Sequence, residues 1–146
     1  MSVSKFFTQE EKDDLLIAIK HAELETSGEI RVHIESTCKG DVKDQAAYLF
    51  EKLEMHKTEK RNGVLFYLAF KNRKFAILGD AGINQVVPED FWDNIRDKML
   101  DKFRENQFVD GLVLGIEAAG KQLKQHFPYQ SDDVNELSDE ISFGTQ

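Results

Sequence analysis

The stretch Arg61–Gly82, RNGVLFYLAFKNRKFAILGDAG, constrains the fold more than any other part of the chain. Val64–Phe70 is a run of seven apolar residues, rich in branched and aromatic side chains, with the length of a strand buried on both faces. Lys71-Asn72-Arg73 interrupts it as a polar turn, and Phe75, Ala76, Ile77 and Leu78 resume as a second strand. So short a connection predicts an antiparallel pair. A strand without a polar face needs cover on both sides, which calls for helices above and below a sheet.

Antiparallel pairing sets Arg61, Asn62 and Gly63, before the first of these strands, beside Gly79 and Asp80, after the second. An acidic residue among glycines at a strand end is a place where a cation can bind.

The rest of the chain supplies the cover. Thr8-Gln-Glu-Glu11 has the spacing of a capping box, and Leu15, Ala18, Ile19 and Ala22 form an apolar stripe on the helix that follows, to about Glu25. Thr26-Ser27-Gly28 stops it, with Gly28 suited to a left-handed cap. Glu29–Glu35, EIRVHIE, alternates as a strand with Ile30, Val32 and Ile34 on its apolar face. His33, on the other face, is a candidate ligand by residue type and a strand residue by position.

Asp41 or Asp44 starts a helix carrying Ala46, Ala47, Leu49, Phe50 and Leu53 on its buried side. This strand–helix–strand order predicts a right-handed crossover, with Glu29–Glu35 parallel to Val64–Phe70. Pro88, Glu89 and Asp90 suit the first turn of the next helix, with Trp92, Ile95, Met99 and Phe103 facing the core. Asp110-Gly111 opens a last helix with the stripe Leu112, Ile116, Ala119 and Leu123. The fold class is α/β: a three-layer α/β/α sandwich on a small, mixed, mostly parallel sheet with one antiparallel hairpin strand.

A chain of 146 residues fits a single domain, read here as residues 1–128. Residues 129–146 read as an acidic, disordered tail, in which Leu137, Ile141 and Phe143 are candidates for a short partner-binding segment. The net charge of −8 argues against nucleic-acid binding. The lone Cys38 excludes a disulfide framework and reads as structural. There is no apolar run long enough for a membrane span and no leader pattern, so the expected location is cytoplasmic or otherwise soluble.

Candidate chemistry collects where the predicted topology brings Glu29, Asn62 and Asp80 to one edge, with Asp110 a further candidate whose side of the fold the sequence does not fix. Carboxylates with an amide oxygen suit a hard divalent cation, Ca2+ or Mg2+. Gly28, Gly63, Gly79 and Gly82 would let main-chain carbonyls turn toward it. Each residue also has a structural reading: Asp80 closing its own turn, Asp110 capping a helix, Glu29 ending a strand. Signatures of phosphate-cradling loops, EF-hands, zinc helices and nucleophile elbows are missing.

TSGEIRV (26–32), AYLFEKLEMHKTEKRNGVLFYLAFKNRKFAILGDAGI (47–83), the Pro88–Trp92 helix entry and FRENQFVDGLVLGI (103–116) carry a resemblance. In order and spacing they resemble the TPM domain family, or TPM phosphatases, named after a thylakoid lumen protein, a photosystem II repair protein and a receptor modulator. The resemblance implies an α/β/α sandwich, calcium or magnesium binding at a loop cleft, and a weak acid-phosphatase activity in some members. It carries Asp80 of the Gly-Asp-Ala-Gly turn most firmly, then Asn62 and Glu29. Many relatives are exported and membrane-anchored, features this chain does not display.

Two functions follow. One is a cation-binding module at the loop cleft, acting through a protein or membrane-associated partner. The alternative is a metal-assisted phosphatase, with Asp80 and Glu29 holding the cation and Arg61 or Lys60 the phosphate.

Overall fold

The computed structural model describes residues 3–129 and 141–144. Its elements are α1 (Gln9–Glu25), β1 (Glu29–Glu35), α2 (Val42–Lys52), β2 (Gly63–Ala69), β3 (Lys74–Gly79), α3 (Ala81–Asn84), α4 (Phe91–Arg104), α5 (Phe108–His126) and β4 (Ser142–Phe143). The sheet order is β3-β2-β1-β4. Strands β1 and β2 run parallel from the Glu29–Gly63 pair to the Glu35–Ala69 pair, and β2 pairs antiparallel with β3. The predicted parallel pairing of β1 with β2, with α2 between them in the chain, and the predicted hairpin are both present.

All seven residues of β2 are buried, because helices cover both faces of the sheet. Ile30, Val32 and Ile34 join Val64, Phe66 and Leu68 under α1, α4 and α5, which supply Leu15, Ile19, Met99, Leu112 and Ile116. On the other face Leu65, Tyr67 and Ala69 meet Ala46, Leu49 and Phe50 of α2, together with Met55 and Cys38. This is the three-layer α/β/α arrangement.

The start of α1 has the predicted capping box, with Glu11 N donating to Thr8 Oγ1 and Thr8 N to Glu11 Oε1. Asp41, rather than Asp44, caps α2, accepting from the amides of Lys43 and Asp44. Three expectations need correction. Pro88 and the two acids lie ahead of α4, in a turn closed by Phe91 N donating to Pro88 O; Phe91 adds a buried ring beside Trp92, which packs against the core as expected. The last helix opens at Phe108, before Asp110. Gly28 is not left-handed, and no described glycine has positive φ. The chain leaves α1 through an extended Thr26, whose hydroxyl donates to Phe127 O and accepts from Gly28 N.

Of the predicted tail, residues 130–140 and 145–146, Leu137 among them, lie outside the described residues. Within it, Ser142–Phe143 form a strand parallel to β1, pairing with His33 and Ile34. Alternation explains the fit: Ile141 and Phe143 pack against the larger core, and the Ser142 hydroxyl meets His33.

Candidate functional site

The amino ends of β1 and β2 and the carboxyl end of β3 share one rim. Glu29 N donates to Asn62 O at 3.2 Å and Asp80 N to Gly63 O at 3.0 Å, so the backbones of Glu29, Asn62 and Asp80 converge as the topology predicts. All three residues are buried. The Asn62 amide donates from Nδ2 to Ser27 Oγ at 3.3 Å.

Asp80 has two structural tasks. It caps the short helix α3, accepting from Ala81 N at 2.7 Å. It also accepts two parallel bonds from one guanidinium, Arg61 Nε to Oδ2 at 2.8 Å and Arg61 Nη2 to Oδ1 at 2.9 Å. Such a fork matches carboxylate geometry and fixes orientation as well as charge. The two partners are placed unequally. The Asp80 side chain is 5% exposed and that of Arg61 50%. The carboxylate raises the Arg61 pKa further above its ordinary value, mainly through these hydrogen bonds.

Backbone form supports the pair. Arg61 is left-handed, with φ of 51°, a conformation expected at Gly28 instead. Its carbonyl accepts from Gly82 N at 2.8 Å. A Cβ at position 82 would stand 2.1 Å from Lys60 O and 2.6 Å from Arg61 O. Gly82 is therefore required by close packing of main chain on main chain.

Asp110 is not at this rim. It lies in the first turn of α5, whose other end carries Phe127, the residue whose carbonyl accepts from Ser27 N. At 1.5 Å per residue the helix separates Asp110 from the rim by roughly 25 Å. The direction of α5 is set by tertiary packing, which the local sequence does not encode.

The rim suits a hard cation in donor type, offering carboxylate, amide and main-chain oxygens. Among the described residues, no group of three or more His, Cys, Asp and Glu side chains stands together in a way that could hold a metal. Positive charge at Asp80 is already supplied by Arg61, and a cation binding there would have to exchange with the guanidinium.

A second polar cluster lies toward the carboxyl ends of β1 and β2, on the α2 face. His33 Nε2 is 3.0 Å from Glu35 Oε1, and Nδ1 is 2.5 Å from Ser142 Oγ. Tyr67 donates to Glu35 Oε2 at 2.5 Å, and Gln45 Nε2 to Glu35 Oε1 at 3.4 Å. Burial lowers the His33 pKa against the opposing pull of Glu35, and raises that of Tyr67. These groups satisfy one another, so His33 is a paired strand residue and not an open ligand. Alternation in EIRVHIE identifies its polar face, but Ser142 is 109 residues from His33 and carries no signal of the contact.

A family model for the TPM domain matches residues 2–122. The NMR structure of the BA42 protein from the psychrophilic bacterium Bizionia argentinensis is similar, with a TM-score of 0.90 at 47% identity over 95% of this chain and 96% of that one. The N-terminal domain of the cg2496 protein from Corynebacterium glutamicum has a TM-score of 0.65 at 12% identity, over 96% of this chain and 81% of that one. An N-terminal domain from P. gingivalis gives 0.68 at 18%, over 83% and 78%. The last two share the fold alone. No curated protein matches.

Proposed function

The chain belongs to the TPM domain family, and on that premise we propose that it is a binding or assembly module whose loop rim responds to Ca2+ or Mg2+. The observation that carries this reading is the Arg61–Asp80 fork: a buried carboxylate neutralised by a guanidinium that is half in solvent. Asp80 is the anchoring ligand, and the oxygens around Asn62 and the Lys60–Arg61 carbonyls are the accessory donors. A hard divalent cation supplies there the positive charge that Arg61 otherwise provides. Arg61, released, presents its donors outward, where a carboxylate of a protein partner can accept them. The rim thereby changes the charge it offers without a change of fold. Among the described residues no helix is long and apolar enough to cross a membrane, so a membrane-associated partner would be met from outside the bilayer by this part of the chain.

The test is a titration with calcium and with magnesium followed by amide NMR shifts, on the wild type, Asp80→Asn and Arg61→Gln. Expected are saturable shifts at residues 27–29, 61–63 and 79–84, lost in Asp80→Asn and obtained at several-fold lower cation concentration in Arg61→Gln. No saturable shift in either the wild type or Arg61→Gln refutes the reading. The alternative, a metal-assisted phosphatase, predicts that phosphomonoester turnover appears with the cation and disappears in Asp80→Asn. Turnover that survives this substitution belongs to a contaminant.

A further inference from the structure

At the opposite end of the sheet lies a cleft of about 520 Å³ that the rim chemistry does not use. It opens beyond the carboxyl ends of the two parallel strands, where Ser36 follows β1 and Phe70 and Lys71 follow β2. Open α/β sheets bind ligands outside the carboxyl ends of their strands. The volume lies within the range of small-molecule sites.

Its walls are aromatic. The Phe6 and Phe70 rings stack with centroids 3.7 Å apart and planes at 13°, and Phe108 meets Phe6 edge-on at 5.9 Å. All three line the cleft and are only partly buried, so ring surface is left facing it. Its charge is opposite to that of the molecule. The chain carries a formal net charge of −8, yet the described residues lining this cleft include Lys71 and Arg73 and no acid. The Lys71 ammonium has no hydrogen bond or ion pair among the described residues. Among the described residues Arg73 donates to neutral acceptors, the Asn106 amide oxygen and the Phe103 carbonyl. Arg73 and Asn106 are both left-handed, with φ of 55° and 62°, and their bond ties the β2–β3 turn to the α4–α5 turn beside the cleft.

We propose that this cleft binds a small organic anion with a flat apolar body, an aromatic carboxylate in chemical class. The body lies against Phe6, Phe70 and Phe108, and the carboxylate meets Lys71 and the exposed part of Arg73. Stacking on ring faces supplies contact area, and the two cations discriminate against neutral analogues of the same shape.

The experiment is an NMR titration of the full chain with 1-naphthoate, with neutral 1-naphthalenemethanol and with inorganic phosphate, on the wild type and Lys71→Glu. Lys71 contributes only its backbone amide to the described hydrogen bonds, so the substitution leaves the fold intact. Expected is saturable naphthoate binding with shifts at residues 6, 36, 70–73 and 106–108. Reversing the Lys71 charge should weaken it about tenfold, and the neutral alcohol should bind about fivefold more weakly than naphthoate. Absence of saturable naphthoate shifts overturns the proposal. Equal binding of acid and alcohol, unaffected by Lys71→Glu, overturns the anion assignment. Phosphate reproducing the naphthoate shifts at equal concentration overturns the aromatic one. The shifts lie at the other end of the sheet from residues 27–29, 61–63 and 79–84, so this proposal fails or stands separately from the cation reading.

Discussion

Replacing Gly82 by alanine tests the backbone packing that holds the Arg61–Asp80 fork. The new Cβ would stand 2.1 Å from Lys60 O. Reaching an ordinary C···O contact of about 3.3 Å requires the loop to move roughly 1.2 Å. Both obstructing atoms are main-chain oxygens, so no side chain can swing aside. The Gly82 N to Arg61 O bond of 2.8 Å spans the same gap and would open. Losing that bond costs about 1 kcal/mol, and crowding a packed site adds about 1–3 kcal/mol. The better helix propensity of alanine offsets at most about 1 kcal/mol. The expected net loss is therefore about 2 kcal/mol, read as a drop in Tm of about 4–8 °C for a chain of this size. Gly40→Ala is the control: nothing stands within 4 Å of the Cβ position, and the substitution should stabilise by about 0.4–1 kcal/mol through the unfolded chain. Thermal and urea unfolding of both variants give the comparison. NMR adds a direct readout, because the Arg61 Nε–H signal, sheltered by Asp80, should be lost in Gly82→Ala. A Gly82→Ala protein as stable as the wild type, with that signal retained, would refute the account.

Two further predictions concern the cluster on the α2 face. Tyr67→Phe removes the donor to Glu35 while Gln45 and His33 keep their contacts, so urea unfolding should show a loss of about 1.5 kcal/mol; an unchanged midpoint would mean the phenol contributes nothing to holding Glu35. His33 has its pKa lowered from 6.5 by burial, so the unfolded chain takes up its proton first as the pH falls. The stability this group contributes is full above pH 6.5 and declines below it, toward the lower folded value. Stability measured by urea at pH 7.5 and pH 5.5 should thus fall further in the wild type than in His33→Gln, and parallel profiles would refute the assignment.

Much of the fold was legible because its signals are local. The seven-residue apolar run of β2, the alternation in β1 and the Thr8–Glu11 box each encode their own element, and a connection rule orders the strands. The rim was legible for the same reason: register follows from a parallel crossover and a tight hairpin, and these bring Glu29, Asn62 and Asp80 together. What stayed hidden depends on distant packing. The direction of α5 removes Asp110 from the rim, and no local pattern marks it. Arg61, read as a candidate for holding phosphate, binds Asp80, since a left-handed backbone at a non-glycine residue turns the chain there. The aromatic cleft joins the N-terminal segment, the ends of β1 and β2 and the α4–α5 turn, so its residues are neighbours only in space.

The pairing of β1 with the C-terminal segment also bears on the order of events during synthesis. His33 waits 109 residues for Ser142, and Thr26 waits 101 for Phe127. At translation rates of about 5–20 residues per second, that is a delay of roughly 5–20 s. For this interval the outer edge of β1 has no strand beside it, and bare strand edges recruit other chains. One edge amide is covered sooner: Ile30 N donates to Glu23 Oε2, from the helix made just before the strand. That glutamate acts as an early guard on the nascent sheet, in place before the strand that finally seals it.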